Sequence, residues 1–495
     1  MKRLNQKTVL AAAMALVFSA PALATNGMNM EGYGPIATGM GGASMAYDNG
    51  TAASMNNPAT IGLMESNSRL DLAVGVLKPD ITSKMNLMPD AKSSATSFVM
   101  PAMGYVRKHN SEFTYGFGVF AQGGMGAEYA ADSFLAAGTG EKVRSEVGVG
   151  RFLIPLSFKV NNKFIVGGSL DYVWAGMDVK MAMGGAQFAD MATEFGGTQA
   201  AGSASGTMVT SMANMATALI LDPAGQVNSA RFDFSNSDDF TGEAKGTGFA
   251  GKVGLVFEVN DKLNVGFTYH SKTSLGDLTT KNAVVTVDAN LDDNFLSGAW
   301  QPFPPTPSGA AAGTYTATNI PVSGHMTVKD FQWPATIGVG AAFKASEKIK
   351  LAADVKVIQW SSVMDSFKMR FVADQTQVNP LAAGFADQAL DAELKQGWKD
   401  QTVISLGGAY ELNNALTLRA GYNTSSNPVP ENYLNPLFPA TVKDHLTLGA
   451  GFAISQASSV DVSLTNAFDS TVTSASGVEV SHSQMSYQLM YSHRF

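Results

Sequence analysis

The chain has 495 residues, of which 45% are hydrophobic and only 15% charged, with a formal net charge of −8 and no cysteine. The lack of cysteine excludes disulfides, thiolate nucleophiles or metal ligands and a lipid-modified cysteine, and an acidic chain without a basic patch argues against nucleic-acid binding. A soluble protein carries about 25% charged residues; one this depleted would show a large helical core, whereas this chain shows short alternating runs and 50 glycines.

The first 24 residues read as a secretory leader. Lys2, Arg3 and Lys7 precede an apolar run, and Ala22-Leu23-Ala24 is a small-x-small cleavage site. The run is shorter than the roughly 20 residues a spanning helix needs. Removing the three leader cations takes the net charge from −8 to −11. The remaining chain holds no run of 18 apolar residues, so no transmembrane helix is expected.

Residues 25–67 do not alternate. Gly27, Gly32, Gly34, Gly39, Gly41, Gly42 and Gly50 interrupt any strand, and the short apolar pieces between them predict small helices and turns. From residue 68 the pattern has period two. Leu70, Leu72, Val74 and Val76 alternate with Arg69, Asp71, Ala73 and Gly75; Phe113, Tyr115, Phe117 and Val119 alternate with Thr114, Gly116 and Gly118. Similar runs recur to the end, where Tyr487, Leu489, Tyr491, His493 and Phe495 occupy alternate positions.

Alternation alone fits a soluble sandwich or a membrane barrel. Long strands favour the barrel, as do short polar turns alternating with long loops. Tyr269, Trp333, Trp360 and Trp398 near strand ends predict an interfacial aromatic girdle. The expected fold is all-β: a fourteen-stranded antiparallel transmembrane barrel over residues 68–495, plugged by an N-terminal helical hatch at 25–67. Strands are expected to start near residues 68, 95, 112, 145, 164, 243, 262, 325, 348, 398, 414, 441, 458 and 478. Extracellular loops are expected near 183–239 and 288–321. In the first, Met208, Met212, Met215 and Leu219 form one helical stripe suited either to capturing apolar ligands or to packing on their own neighbours.

The sequence resembles the FadL family of outer-membrane transporters, which includes fatty-acid and toluene-type hydrocarbon channels. The resemblance rests on Asn26-Gly27-Met28, the Gly-rich run with Tyr47-Asp48-Asn49, and Asn57-Pro58-Ala59. It continues through Asp354 to Ser361, Gly397-Trp398-Lys399-Asp400 and Asn427-Pro428-Val429-Pro430. It implies uptake of hydrophobic molecules, long-chain fatty acids foremost, by outer-loop capture, hatch rearrangement and lateral exit where strand three is kinked. It places Met28, Asn57, Pro58 and Ala59 in the pocket and hatch, and Gln122, Gly123, Gly124 and Gly126 at the kink. Adjacent glycines independently permit a bulge there. Outer-membrane lipid, lipopolysaccharide and the barrel assembly machinery are the implied partners of a monomer.

Burying about fifteen methylenes is worth on the order of 12 kcal/mol at ~0.8 each, whereas a charged hydrogen bond adds about 1.5–3 kcal/mol. Hydrocarbon burial therefore dominates affinity for any such cargo. The arginine and lysine that meet a carboxylate in the fatty-acid members align here with Gly176 and Phe367, leaving Lys180 and Lys368 as possible head-group contacts. Neutral aromatic or aliphatic hydrocarbons are thus the alternative cargo, and a structural or adhesin-like barrel is the alternative of another class. No nucleophile motif surrounds any of the six histidines, so no enzyme, cofactor or metal is expected.

Overall fold

The computed structural model describes residues 26–217, 227–238, 241–297 and 315–495. One continuous antiparallel sheet of 23 strands dominates it. Its strands of eight residues or more are β1 (Ser68–Lys84), β2 (Phe98–Lys108), β3 (Phe113–Tyr129), β4 (Val143–Asn161), β5 (Phe164–Gly184), β6 (Val227–Phe234), β7 (Ala244–Asn260), β8 (Leu263–His270) and β9 (Ala283–Asp292), followed by β10 (Tyr315–Lys329), β11 (Thr336–Lys344), β12 (Ile349–Ile358), β13 (Ser366–Ala373), β14 (Gln401–Asn413), β15 (Leu416–Ser425), β16 (Asp444–Ala453), β17 (Ser458–Thr473) and β18 (Glu479–Arg494). The sheet closes on itself through β1 and β18, which pair from Arg69–Arg494 to Lys84–Glu479.

The expectation of fourteen strands is corrected by this count of eighteen. The strands without an expected counterpart are β6, β9 and β13, and the fourth addition is the division of the strand expected near 325. β6 continues the wall from the far end of β5, β9 joins β6 to β10, and β10 pairs with β13. The two insertions expected as loops are therefore partly stranded and raise the wall on one side. The strand expected near 325 is two strands, β10 and β11. They are separated at Phe331–Ala335, where Pro334 has no N–H for a ladder.

The wall is inside out relative to a soluble protein. On β18 Tyr487, Leu489 and Tyr491 are 45%, 48% and 40% exposed, while the alternate residues Ser486, Gln488, Met490 and Ser492 are buried. Apolar side chains such as Phe152, Ile154, Leu255, Phe257, Leu406 and Leu448 likewise face outward, and Arg69, Asp71, Arg151, Asp171 and Asp354 face the lumen. That exterior is stable only against lipid. Among the described residues no helix is long and apolar enough to cross a membrane. Connections at one end are tight, as at Asn161–Lys163 and Asn260–Lys262, and those at the other are long.

Residues 26–64 fill the lumen and are nearly all buried. They form short helices at Pro35–Thr38 and Ala53–Asn56 and a 3-10 helix at Pro58–Leu63. Asn57 caps the last, accepting from Ala59 N at 3.1 Å, with Pro58 at the first helical position.

Lumenal charges tie this segment to the wall. Asp354 accepts from the backbone N–H groups of Ser44 and Met45 at 2.6 and 3.2 Å, and Lys356 donates to the Glu31 carbonyl at 2.9 Å. Arg69 bonds Asp71 at 2.8 Å and lies 3.7 Å from Asp48. Asp171 is shared by Arg151 and Lys252.

Candidate functional site

A small cavity lies where the N-terminal segment, the wall and the long loops meet. It is lined by Met28, Val147, Met177, Phe331, Met364, Phe367, Gln396 and Phe438, of which Gln396 is the one polar side chain. Its free volume is about 10 Å³, room for about one water. A ligand must therefore displace side chains, and methionine and phenylalanine at the rim suit that, because the thioether is flexible and polarisable.

Beside it stands a buried tryptophan cluster. Trp333 and Trp360 meet edge to face with centroids 5.6 Å apart, and Trp360 and Trp398 at 5.2 Å. The expected interfacial girdle is corrected here: Trp333, Trp360 and Trp398 are at most 2% exposed and sit in the lumen, whereas Tyr269 faces out. Each of the three tryptophans occupies a break between strands, where the chain turns inward.

The N-terminal segment connects the cavity to β3. At Gln122 the β3–β4 register shifts, Ala121 facing Gly150 and Gly123 facing Val149, which is a bulge. Asn29 bridges to Gly123, and Gly124 N–H donates to the Met28 carbonyl at 3.0 Å. A Cβ at Gly123 would run into that carbonyl and approach Trp333 to 3.0 Å, so glycine is required by the close approach. Asn29 Oδ1 accepts from Gln122 Nε2 at 2.9 Å and Trp333 Nε1 at 2.8 Å. The Tyr33 hydroxyl donates to the Gln122 carbonyl at 2.6 Å. Burial pushes the Tyr33 phenol above its ordinary pKa, keeping it a neutral donor. Tyr33 and Asn56 exchange hydrogen bonds in turn, and Asn57 donates to Met45 O and Leu255 O at 2.7 and 3.2 Å. Met28, the bulge and Asn57-Pro58-Ala59 thus belong to one bonded chain.

The bulge borders a break in the wall. The β2–β3 ladder runs from Lys108–Thr114 to Met103–Val119 and stops. Further up, Ser94 N–H donates to the Glu128 carbonyl at 2.8 Å. Between these points, among the described residues, Phe98–Ala102 pairs only with β1, and Phe120–Ala127 pairs with β4 and, at Gly123 and Gly124, with the N-terminal segment, leaving β2 and β3 unpaired with each other. A cavity of about 40 Å³ lies there, lined by Met100, Pro101, Ala102, Phe120 and Ala121 on the wall and by Met30, Tyr33 and Ala52 behind.

The remaining expected residues lie elsewhere. Gly126 pairs regularly with Glu146, beyond the bulge. Met208 and Met212 are buried and Met215 half-buried against the molecule's own core, and Leu219 lies outside the described residues. Lys180 is 4.0 Å from Asp233. Lys368 follows the cavity residue Phe367, so its side chain leaves β13 on the opposite face. No sequence signal marks Val147, Met177, Phe331, Met364 or Phe438, which are ordinary apolar residues brought together by the closed wall.

The family described as outer membrane protein transport protein (OMPP1/FadL/TodX) matches residues 11–493. The crystal structure of the Pseudomonas putida toluene transporter TodX is similar at 27% identity, covering 94% of this chain and 99% of that one, with a TM-score of 0.75. The Ralstonia pickettii toluene transporter TbuX is 26% identical over 94% and 99% of the two chains, with a TM-score of 0.70. A Pseudomonas aeruginosa FadL homologue, 15% identical over 95% and 100% with a TM-score of 0.66, shares the fold. A putative outer membrane protein of Neisseria meningitidis is 24% identical over 225 residues, which cover 45% of this chain and 41% of that protein. An uncharacterized Chlorobium limicola protein is 49% identical over 86 residues, 17% of this chain and 42% of its own; this chain thus spans less than half the length of either curated relative.

Proposed function

From a chain that belongs to the OMPP1/FadL/TodX family, and is therefore an outer-membrane transport channel for hydrophobic compounds rather than an enzyme, we infer that the cargo is a neutral, toluene-sized hydrocarbon. The observation that carries this reading is the cavity lining, seven apolar side chains and one glutamine with no cation. The relatives whose names say toluene transporter, at 26–27% identity, support it further.

We propose residues 1–24 as a cleaved leader, 25–67 as the hatch and 68–495 as the barrel, working as a monomer inserted by the barrel assembly machinery into a lipopolysaccharide-bearing membrane. Met28 is the proposed trigger. Its side chain lines the cavity while its carbonyl holds Gly124, so cargo that moves the side chain strains the contact at the bulge. Displacing Asn29 and Tyr33 then joins the cavity to the break between β2 and β3. Cargo leaves sideways there, into lipid, without crossing water, where its apolar surface would cost about 25 cal/mol per Å².

The test is uptake into proteoliposomes of radiolabelled toluene and of radiolabelled oleate, each against empty liposomes, with mass spectrometry of molecules co-purifying with the barrel. Toluene transport with an unchanged oleate background supports the reading. A long-chain carboxylate as bound ligand with oleate transport alone replaces it by the fatty-acid reading. Transport of neither, by a folded barrel, returns the structural or adhesin-like alternative.

A further inference from the structure

The cavity has a roof as well as a floor. The connection from β15 to β16 dips into the lumen, burying Leu434, Leu437, Phe438, Ala440 and Val442. Three wall side chains hold it by its main chain. The Tyr129 hydroxyl donates to the Pro436 carbonyl at 2.9 Å and is itself 3.1 Å from Ser83 Oγ. Ser145 Oγ bonds the Leu437 carbonyl. His482 Nδ1 bonds the Pro439 carbonyl at 2.7 Å.

Tyr129, Ser145 and His482 come from β3, β4 and β18, which lie in one sector of the wall with β1 and β2 between β18 and β3. Pro436 and Pro439 have no N–H and cannot join a ladder, so these carbonyl contacts are what fastens the segment. Between the pinned carbonyls Phe438 projects to the cavity, its ring 6.0 Å from that of Phe367, opposite Met28.

Resting on the apolar-cargo reading above, we propose that Pro436–Pro439 is the gate on the outer side of the cavity and that Phe438 sets the size of cargo admitted. Lifting the segment breaks three hydrogen bonds and withdraws the Phe438 ring together with the buried Leu437 and Pro439 while the hatch stays seated. Admission and release are then separate events, one at Phe438 and one at Met28.

The cysteine-free chain permits a direct test. In the full-length barrel carrying Ser145→Cys and Leu437→Cys, the pair is joined by oxidation or by a short bis-maleimide and the product verified by mass. Two readouts are taken in liposomes: toluene uptake, and the rate at which iodobenzene quenches tryptophan fluorescence from the cluster beside the cavity. The joined barrel is expected to take up toluene no faster than empty liposomes and to be quenched at least tenfold more slowly, with reduction of the disulfide restoring both. Tyr129→Phe with Ser145→Ala is expected to speed quenching at least threefold. Phe438→Ala is expected to raise uptake of naphthalene relative to toluene at least fivefold. Quenching at the same rate in the joined and open barrels overturns the gate, as does an unchanged size preference in Phe438→Ala. Failure of toluene uptake in both forms, with quenching still slowed by the joint, overturns the cargo reading and leaves the gate standing.

Discussion

The side-chain oxygen of Asn29 carries more than its size suggests. It accepts from Gln122 on the bulge and from Trp333 in the tryptophan cluster, both buried donors. Leucine at this position fills similar space and leaves both N–H groups without an acceptor, each costing about 1–3 kcal/mol. Asn29→Leu is therefore expected to lower unfolding stability by about 2–6 kcal/mol in guanidinium titration of the barrel in detergent. Gly123 makes a different demand. Valine there meets the Met28 carbonyl and the Trp333 ring, so the N-terminal segment must leave its seat. Gly123→Val is expected to insert and fold, shown by heat-modifiable migration, yet to transport toluene at a tenth of the native rate or less. Normal uptake by the folded variant would remove Met28 and the bulge from the mechanism.

Among the elements, those written in period two were legible and those written in inward turns were not. β18 shows its outward Tyr487, Leu489 and Tyr491 in the bare sequence, and the register of β3 shifts at Gln122, next to the glycine pair at 123–124. β9 also alternates, with Ala283, Val285, Val287, Ala289 and Leu291 all buried on one face. It was missed because that face packs on protein at the long-loop end, in a stretch whose composition reads as a loop. The tryptophans failed for a related reason. Proximity to a strand end predicts an interface only when the chain continues along the wall, and at Phe331–Ala335 and Trp360–Ser362 it turns into the lumen. The Asn57-Pro58-Ala59 motif came from the resemblance, and its capping chemistry is seen only in the structure. Asn57 caps the 3-10 helix and also donates to Met45 and Leu255, while Gly254 opposite leaves no room for a Cβ. Deleting residues 57–59 removes the cap and the ties to Leu255 and Ser157 of the wall without touching any strand. The deleted barrel is expected to assemble normally and to lose uptake, measured in the same liposomes. Unchanged uptake would show that the motif only fills space.

At the scale of the whole molecule the decisive feature is the direction of the apolar face, because it fixes what surrounds the wall and what the lumen must contain. Leu406 and Leu412 point outward from one strand, 50% and 45% exposed. They are separated by about 20 Å of backbone at ~3.3 Å per residue. Leu406 is mid-strand, whereas Leu412 adjoins the tight turn after Asn413. If lipid is the solvent for this face, the cost of a charge depends on depth: about 2–4 kcal/mol for arginine near the midplane and ~0–1 near an interface. If water were the solvent, neither substitution would cost stability. Leu406→Arg is therefore expected to destabilise the barrel in phospholipid vesicles by about 2–4 kcal/mol and Leu412→Arg by ~1 or less, read from reversible guanidinium unfolding. The two variants share a strand, a face and a substituted residue, so β-propensity and side-chain size cancel in the comparison. An equal effect of the two would contradict a lipid-embedded wall, and with it a stoppered lumen that hands apolar cargo sideways into the bilayer.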